Sequence, residues 1–181
     1  MKNGITYLLL ITFGFLLCSI ATGQDHNIPK PARQASLPDN PCEVLSAEQV
    51  SAVTGLEVIS AERIPSLGQV VDAQREGREP SPGTICYYET RSDFGAIWIA
   101  VPTRKERRAA LYWEGRAKYF QTYPGSARPV ADLGTDAWLG GGTTLHVLVR
   151  GDEHFSLSTQ MYQERSRELL THIARVVLSR L

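Results

Sequence analysis

The stretch TICYYETRSDFGAIWIAV, residues 84–101, decides the predicted fold, because it holds two apolar segments separated by a polar turn. Apolar residues occupy every position of the second segment, 97–101, and its β-branched and aromatic content is typical of a strand that is at least half buried. Turn residues fill 91–95 between the segments. The stretch therefore predicts an antiparallel hairpin with Cys86 in its first strand.

The N-terminus has the pattern of a secretory signal peptide. Lys2 precedes an apolar run over 7–20, and Ala21-Thr22-Gly23 supplies small residues before a cut. The run is shorter than the roughly 20 apolar residues of a spanning helix. We therefore predict a signal peptide over 1–23, export to the periplasm or the medium, and no transmembrane segment in the mature protein. Lipidation at Cys18, which would leave an anchored N-terminus, is the alternative.

The expected state of the cysteines depends on the removal of the signal peptide. Once the signal peptide is removed, Cys42 and Cys86 are the remaining pair. In an exported chain such a pair is expected to form a disulfide. The alternative is two buried free thiols.

Composition sets limits on the partners. Lys plus Arg and Asp plus Glu number 19 each, so the chain has no overall basic field for nucleic acid. We expect no nucleic-acid partner. The length remaining after export suits a single domain.

The predicted organisation is a flexible leader over 24–40, which contains three prolines, followed by one domain over 41–181. A capping box of Ser46 and Gln49 predicts a short helix that ends at Gly55. Residues 61–83 are polar and rich in proline and glycine, which predicts a long loop.

Two further helices are predicted from apolar spacing. Thr103 and Glu106 form a capping box, and the helix after them runs to about Gln121. The last helix begins near Gln163. Their expected apolar faces are Ala110, Trp113, Ala117 and Phe120 in the first, and Leu170, Ile173, Val177 and Leu181 in the second.

A second hairpin is predicted over 143–160, after a segment 130–139 and three glycines. A three-residue loop at 151–153 would place Val149 opposite Phe155 and Val147 opposite Leu157. The element order is then α-βββ-α-βββ-α. It predicts an α+β fold of one domain, with an antiparallel sheet and the helices packed on one face.

Two familiar motifs of cofactor-binding and catalytic sites are missing from the sequence. Gly140, Gly141 and Gly142 precede a strand and do not open a helix, so no phosphate-binding loop is predicted, and no Gly-x-Ser-x-Gly elbow occurs. The predicted register separates His146 from His154, which argues against a metal site with Asp152 and Glu153. We predict no catalytic residue, cofactor or metal.

Two groups of residues have both a structural and a functional interpretation. Arg104, Lys105, Arg107 and Arg108 are predicted to form a solvated face at a helix start, although they could bind phosphate. Trp98 and Trp113 are predicted to lie in the core. Trp138, with Asp136, is the candidate ligand surface because it lies between an acidic residue and three glycines.

The chain resembles a family of small exported bacterial proteins, domain of unknown function 3558, over 41–181. The resemblance is carried by Pro41-Cys42 before a short helix, by Cys86 with an aromatic residue two positions later, by VADLGTDAW at 130–138, and by the strand LHVLVRG at 145–151. It implies a lipoprotein-like protein with no established activity. This chain has Tyr88 where that family has tryptophan.

The sequence thus favours an exported, non-enzymatic binding module whose partner is an unknown envelope protein, an envelope component or a small ligand. The alternative is a hydrolase whose site is assembled from residues distant in sequence.

Overall fold

The computed structural model describes residues 36–80, 83–91, 96–149, 153–160 and 163–181. The predicted signal peptide, 1–23 with Cys18, lies outside these residues, as does most of the predicted leader.

The described elements are four α-helices, seven strands and one short 3-10 helix, Pro41–Glu43. The helices are α1 (Ala47–Thr54), α2 (Leu67–Glu76), α3 (Ala109–Thr122) and α4 (Gln163–Leu178). The strands are β1 (Val58–Ile64), β2 (Ile85–Thr90), β3 (Ala96–Ala100), β4 (Ala127–Pro129), β5 (Asp136–Gly140), β6 (Thr144–Leu148) and β7 (His154–Thr159).

All seven strands form one antiparallel sheet in the order β1-β2-β3-β7-β6-β5-β4. Two meanders, β1 to β3 and β4 to β7, meet where β3 pairs with β7. The central hairpin pairs Cys86 with Ile99 and Tyr88 with Ile97. The predicted α+β class, the single domain and the central hairpin are confirmed.

Helices lie on both faces of the sheet. Alternation along the strands puts Cys86, Ile99 and Leu157 on one face, which α1 and α4 cover and which we call the α4 face. Trp138 and Leu148 point the other way and pack against Tyr112 of α3, on what we call the α3 face. The prediction that the helices share one face is therefore wrong.

The predicted apolar face of the last helix is confirmed. Leu170, Ile173 and Val177 are buried in the core beneath α4. An aliphatic stripe at helical spacing leaves this helix one way to bury its apolar area.

The prediction of a long loop over 61–83 is wrong. Strand β1 continues to Ile64, and α2 begins after Ser66, whose hydroxyl accepts from the Gln69 amide while the Gln69 side chain accepts from the Ser66 amide. Gly77 ends the helix with a φ of 63°. Helix α2 thus carries the same start and stop signals as α1.

The second hairpin has a different register from the predicted one. Val147 pairs with Phe155 and Leu145 with Leu157, two residues from the expected pairing, and Val149 donates its backbone N–H to the Glu153 carbonyl. A slip of two residues keeps each side chain on its face, so alternation alone does not distinguish the two registers.

Helix α3 presents a different face to the sheet from the predicted one. Ala110, Trp113 and Ala117 are exposed, and Trp113 is 42% exposed. Tyr112 is buried in their place. Thr103 does donate to the Glu106 carboxylate, at 2.8 Å through its hydroxyl, but only a turn follows, and the helix starts six residues later at Ala109.

Arg107 is buried, 2% exposed, and does not lie on a solvated face. Its Nη1 donates to the Leu37 carbonyl at 2.6 Å, and its Nη2 donates to the Asp39 carboxylate. The Leu37 amide donates to Glu153 at 2.7 Å. A buried guanidinium needs such partners. The described end of the predicted leader, 36–40, is therefore packed on the domain, which begins before Pro41.

The predicted disulfide is confirmed. Cys42 of the 3-10 helix is bonded to Cys86 of β2, with the two Cα atoms 4.9 Å apart. It indicates an oxidising, extracytoplasmic environment. Within the described part of the chain, no helix is long and apolar enough to span a membrane.

Candidate anion-binding groove

The apolar side of α4 determines which of its residues are left for function. Because Leu170 and Ile173 are fixed against the sheet, the neighbouring positions Arg167, Thr171 and Arg175 fall along one edge of the helix. They are spaced four residues apart, so they form a row inclined by about 26° to the helix axis.

The opposite side of the groove comes from β4, β5 and the turns at their ends. Arg128 is an exposed residue of β4, and Val130 and Leu139 are buried at the base of the groove. Gly141 and Gly142 form the turn after β5 with φ values of 59° and 78°. Residues with a side chain rarely adopt this conformation, so the turn requires glycine.

Together these elements enclose a groove with a volume of about 1210 Å³. Its charged lining residues are Arg128, Arg167, Arg175 and Glu168, and His172 also lines it. Three guanidinium groups thus face one carboxylate. A chain with equal numbers of basic and acidic residues concentrates positive charge here.

The three arginines have no internal partner. Among the residues that the structure describes, none of their side chains takes part in an ion pair or a hydrogen bond. Arg107 and Arg116, in contrast, are paired with Asp39 and Asp136. Guanidinium groups match carboxylate and phosphate with two parallel hydrogen bonds, so the groove is a candidate anion-binding site.

The predicted ligand surface lies elsewhere. Trp138 is only 4% exposed; its ring stacks on His146 with centroids 4.0 Å apart and also contacts Tyr119 of α3. Asp136 accepts from the Tyr112 hydroxyl at 2.7 Å and pairs with Arg116 at 3.3 Å. Ligand binding by Trp138 and Asp136 stays a hypothesis, and a ligand would have to displace α3 to reach the indole.

The other two tryptophans are more exposed than the sequence predicts. Trp98, predicted as core, is half-buried on the α3 face beside Tyr87, with ring centroids 5.7 Å apart. Trp113, also predicted as core, is exposed. The buried tryptophan is therefore the one that the sequence assigned to the surface.

The two hairpin histidines are closer than predicted. His146 pairs with Ser156 and His154 with Leu148, so they are diagonal neighbours on the α3 face. Burial, and to a smaller extent the charge of His154, lower the pKa of His146 to about 4. Burial also lowers the pKa of His154. No group of three His, Cys, Asp or Glu residues suited to a metal ion occurs in the described ranges.

Burial also shifts the pKa values of two tyrosines. Burial raises the pKa of Tyr88, whose hydroxyl donates to the Leu45 carbonyl at 2.7 Å under the α4 face. Burial and the hydrogen bond to Asp136 raise the pKa of Tyr112. Both phenols are fixed packing groups in the core.

Sequence reasoning missed the groove. One signal was present, since Arg167, Thr171 and Arg175 recur beside the apolar stripe of the last helix. The contribution of Arg128 had no signal, because β4 has only three residues and its position at the sheet edge is a tertiary property.

Comparison with protein-family models, with curated proteins and with solved structures found no match to this chain. The assignment of the groove therefore rests on its geometry and charge.

Proposed function

We propose that the protein is an exported binding module, not an enzyme, that holds an anionic ligand in the groove between α4 and the β4–β5 edge. The observation that carries the proposal is a set of three arginines that line one concave surface and make no ion pair or hydrogen bond within the part of the chain that the structure describes. Like charges held together repel one another, and a bound anion relieves that repulsion.

Export is supported by two independent features. The N-terminal pattern is that of a signal peptide, and the domain contains a disulfide of the kind that persists outside the cytoplasm. The partner is then an anion of the envelope or the surroundings. Membership of the domain of unknown function 3558 family is compatible with this location and stays a hypothesis.

The location is tested by mass spectrometry of the protein recovered from its host. We expect an N-terminus at Gln24, because Ala21-Thr22-Gly23 precedes it. A lipid-modified N-terminus at Cys18 would contradict both the cleavage site and the unanchored location.

Anion binding is tested by NMR titration of the exported protein with inorganic phosphate and with galacturonate. We expect the Nε–Hε signals of Arg128, Arg167 and Arg175 to shift and saturate, with a dissociation constant in the millimolar range for such small anions. In the double variant Arg167→Gln/Arg175→Gln, which keeps only the Arg128 signal of the three, the shift of that signal should disappear.

Arg165→Gln is the matched control. Arg165 is an exposed arginine of the same helix that does not line the groove, and its replacement removes one positive charge, as each of the two groove substitutions does. Equal losses in the control and the double variant would show a general charge effect and contradict the proposal.

A hydrolase is the second candidate, because Glu168 and His172 both line the groove one helical turn apart. A carboxylate beside an imidazole is a common acid-base arrangement. The test is hydrolysis of ester and glycoside substrates: turnover by the wild type that is lost in His172→Gln would replace the binding proposal with this one.

A further inference from the structure

The size of the groove indicates the shape of its ligand. Its volume of about 1210 Å³ exceeds the ~300–1,000 Å³ that is typical of small-molecule pockets. A single phosphate or a single sugar acid would leave most of the surface in water. The groove therefore suits an elongated ligand.

The arginines are spaced to match such a ligand. Arg167 and Arg175 are eight residues apart on α4, which corresponds to about 12 Å along the helix axis. Thr171 lies midway between them, and Arg128 lines the opposite wall. The two arginine side chains thus leave the helix about 12 Å apart along its axis, and a chain with repeated anionic groups can contact both.

The remaining lining residues indicate what else the ligand carries. Glu168 is an acceptor that repels a chain of phosphates but can accept hydrogen bonds from hydroxyl groups. Thr171 adds a hydroxyl group that can donate and accept, and Ser126, whose hydroxyl donates to the Tyr123 carbonyl, adds an acceptor. A ligand that presents both anionic groups and hydroxyl groups satisfies all of them.

Nucleic acid fits less well. Single-stranded nucleic acid is usually held by aromatic side chains on which bases stack. The described lining contains no Phe, Tyr or Trp, and its glutamate opposes a phosphodiester backbone. An acidic saccharide has the charges and the hydroxyl groups without requiring such stacking.

We propose, on the basis of the anion-binding function above, that the groove binds a linear acidic oligosaccharide along α4, with two of its carboxylates, from non-adjacent sugar units, on Arg167 and Arg175. Arg128 binds from the opposite wall, and Glu168 accepts from sugar hydroxyl groups between the charges. The class of ligand is thus a negatively charged glycan of the cell envelope or its surroundings.

Chain length is the first test. Calorimetric titration with galacturonate oligomers of increasing length should show affinity rising at least tenfold from the monomer to an oligomer that spans both arginines, because the second contact becomes intramolecular. The methyl-esterified oligomer, with the same sugars and no charge, should bind at least tenfold more weakly than the acid. Monomer and oligomer of equal affinity would overturn the proposal.

Substitutions separate the two helix arginines from general charge. Arg167→Gln and Arg175→Gln should each weaken the oligomer about tenfold and reduce the gain with length, while Arg165→Gln leaves both unchanged. All three sites are exposed, so the variants should fold like the wild type.

Glu168→Gln distinguishes a saccharide site from a simple anion site. The proposal expects weaker binding of the acidic oligosaccharide, because a charged acceptor for hydroxyl groups is replaced by a weaker neutral one. A site for anions alone would bind every anion more tightly after the negative charge is removed. Glu114→Gln, an exposed glutamate of α3, is the matched control.

Two further ligands give results that overturn the proposal. Tighter binding of polyphosphate or single-stranded DNA than of the galacturonate oligomer would assign the groove to another polyanion, and the anion-binding function would stand. If inorganic phosphate and galacturonate both fail to shift the arginine signals, the anion-binding function fails as well.

Discussion

The two faces of the sheet are built from different chemistry. The α4 face is one continuous and mainly aliphatic core, with residues from every long strand and from α1 and α4. The α3 face has a small buried cluster of Tyr112, Trp138 and Leu148, with His146 and His154 beside it. One face is held together by apolar area, and the other by aromatic contacts and paired polar groups.

This difference determines how each face responds to change. The α4 face loses stability when packing or its covalent link is lost. The α3 face is sensitive to protonation, because its histidines are buried in the neutral form. The predictions below treat the faces separately, and the largest expected effect comes first.

Loss of the disulfide should have the largest effect, and it acts on the α4 face. The bonded cysteines are 44 positions apart, for which the loop-entropy model gives up to about 4 kcal/mol of stabilisation. We expect Cys42→Ser to lower the free energy of unfolding by up to that amount, measured by urea denaturation without reductant.

Reductant provides the control for this prediction. It should destabilise the wild type and leave Cys42→Ser unchanged, since Cys86 then has no partner. Two free thiols per denatured, unreduced chain would show that the link is absent. The ring signals of His146 should stay unshifted in folded Cys42→Ser, because the link lies on the other face.

Acid should act mainly on the α3 face. The pKa of His146 is about 4 in the folded protein and ordinarily 6.5, so the unfolded chain binds a proton first as the pH falls. The neutral ring's contribution is complete above pH 6.5 and is lost progressively down to pH 4. The loss is on the order of 3 kcal/mol for a shift of this size.

The measurement is the free energy of unfolding across this pH range for the wild type and His146→Gln. Loss of the buried titrating ring should flatten the pH dependence of the free energy of unfolding. Parallel curves for the wild type and His146→Gln would contradict a buried neutral His146.

The same contrast explains which parts of the structure could be predicted. Leu170, Ile173 and Val177 are aliphatic and recur at helical spacing, so the face of α4 follows from sequence. The central hairpin follows from alternation for the same reason. Helix α2 was also predictable, since Ser66, Gln69 and Gly77 carry recognisable capping signals.

Other features depend on contacts between distant residues. Arg107 is buried because Leu37 and Asp39 return to it from about seventy residues away, and no local pattern shows that pairing. The register of β6 and β7 was ambiguous because a two-residue slip preserves alternation. The groove combines α4 with a three-residue strand, so only half of it has a local signal.

The smallest expected effect concerns the two aromatic neighbours on α3, and it tests which side of that helix faces the sheet. Trp113 is 42% exposed; its ring contacts the Arg116 guanidinium, 5.4 Å from the ring centroid, and the ring of Tyr112 edge to face, with centroids 5.3 Å apart. An exposed cation–π contact and an aromatic pair contribute about 0.5–1 kcal/mol each, so Trp113→Gln should lower the free energy of unfolding by no more than about 2 kcal/mol. Tyr112→Phe, which keeps the buried ring and removes the hydrogen bond to Asp136, should cost about 1.5–3 kcal/mol. Urea denaturation of both variants compares the two sides of α3 directly, and a loss above about 3 kcal/mol for Trp113→Gln, as expected of a core tryptophan, would restore the sequence-based orientation.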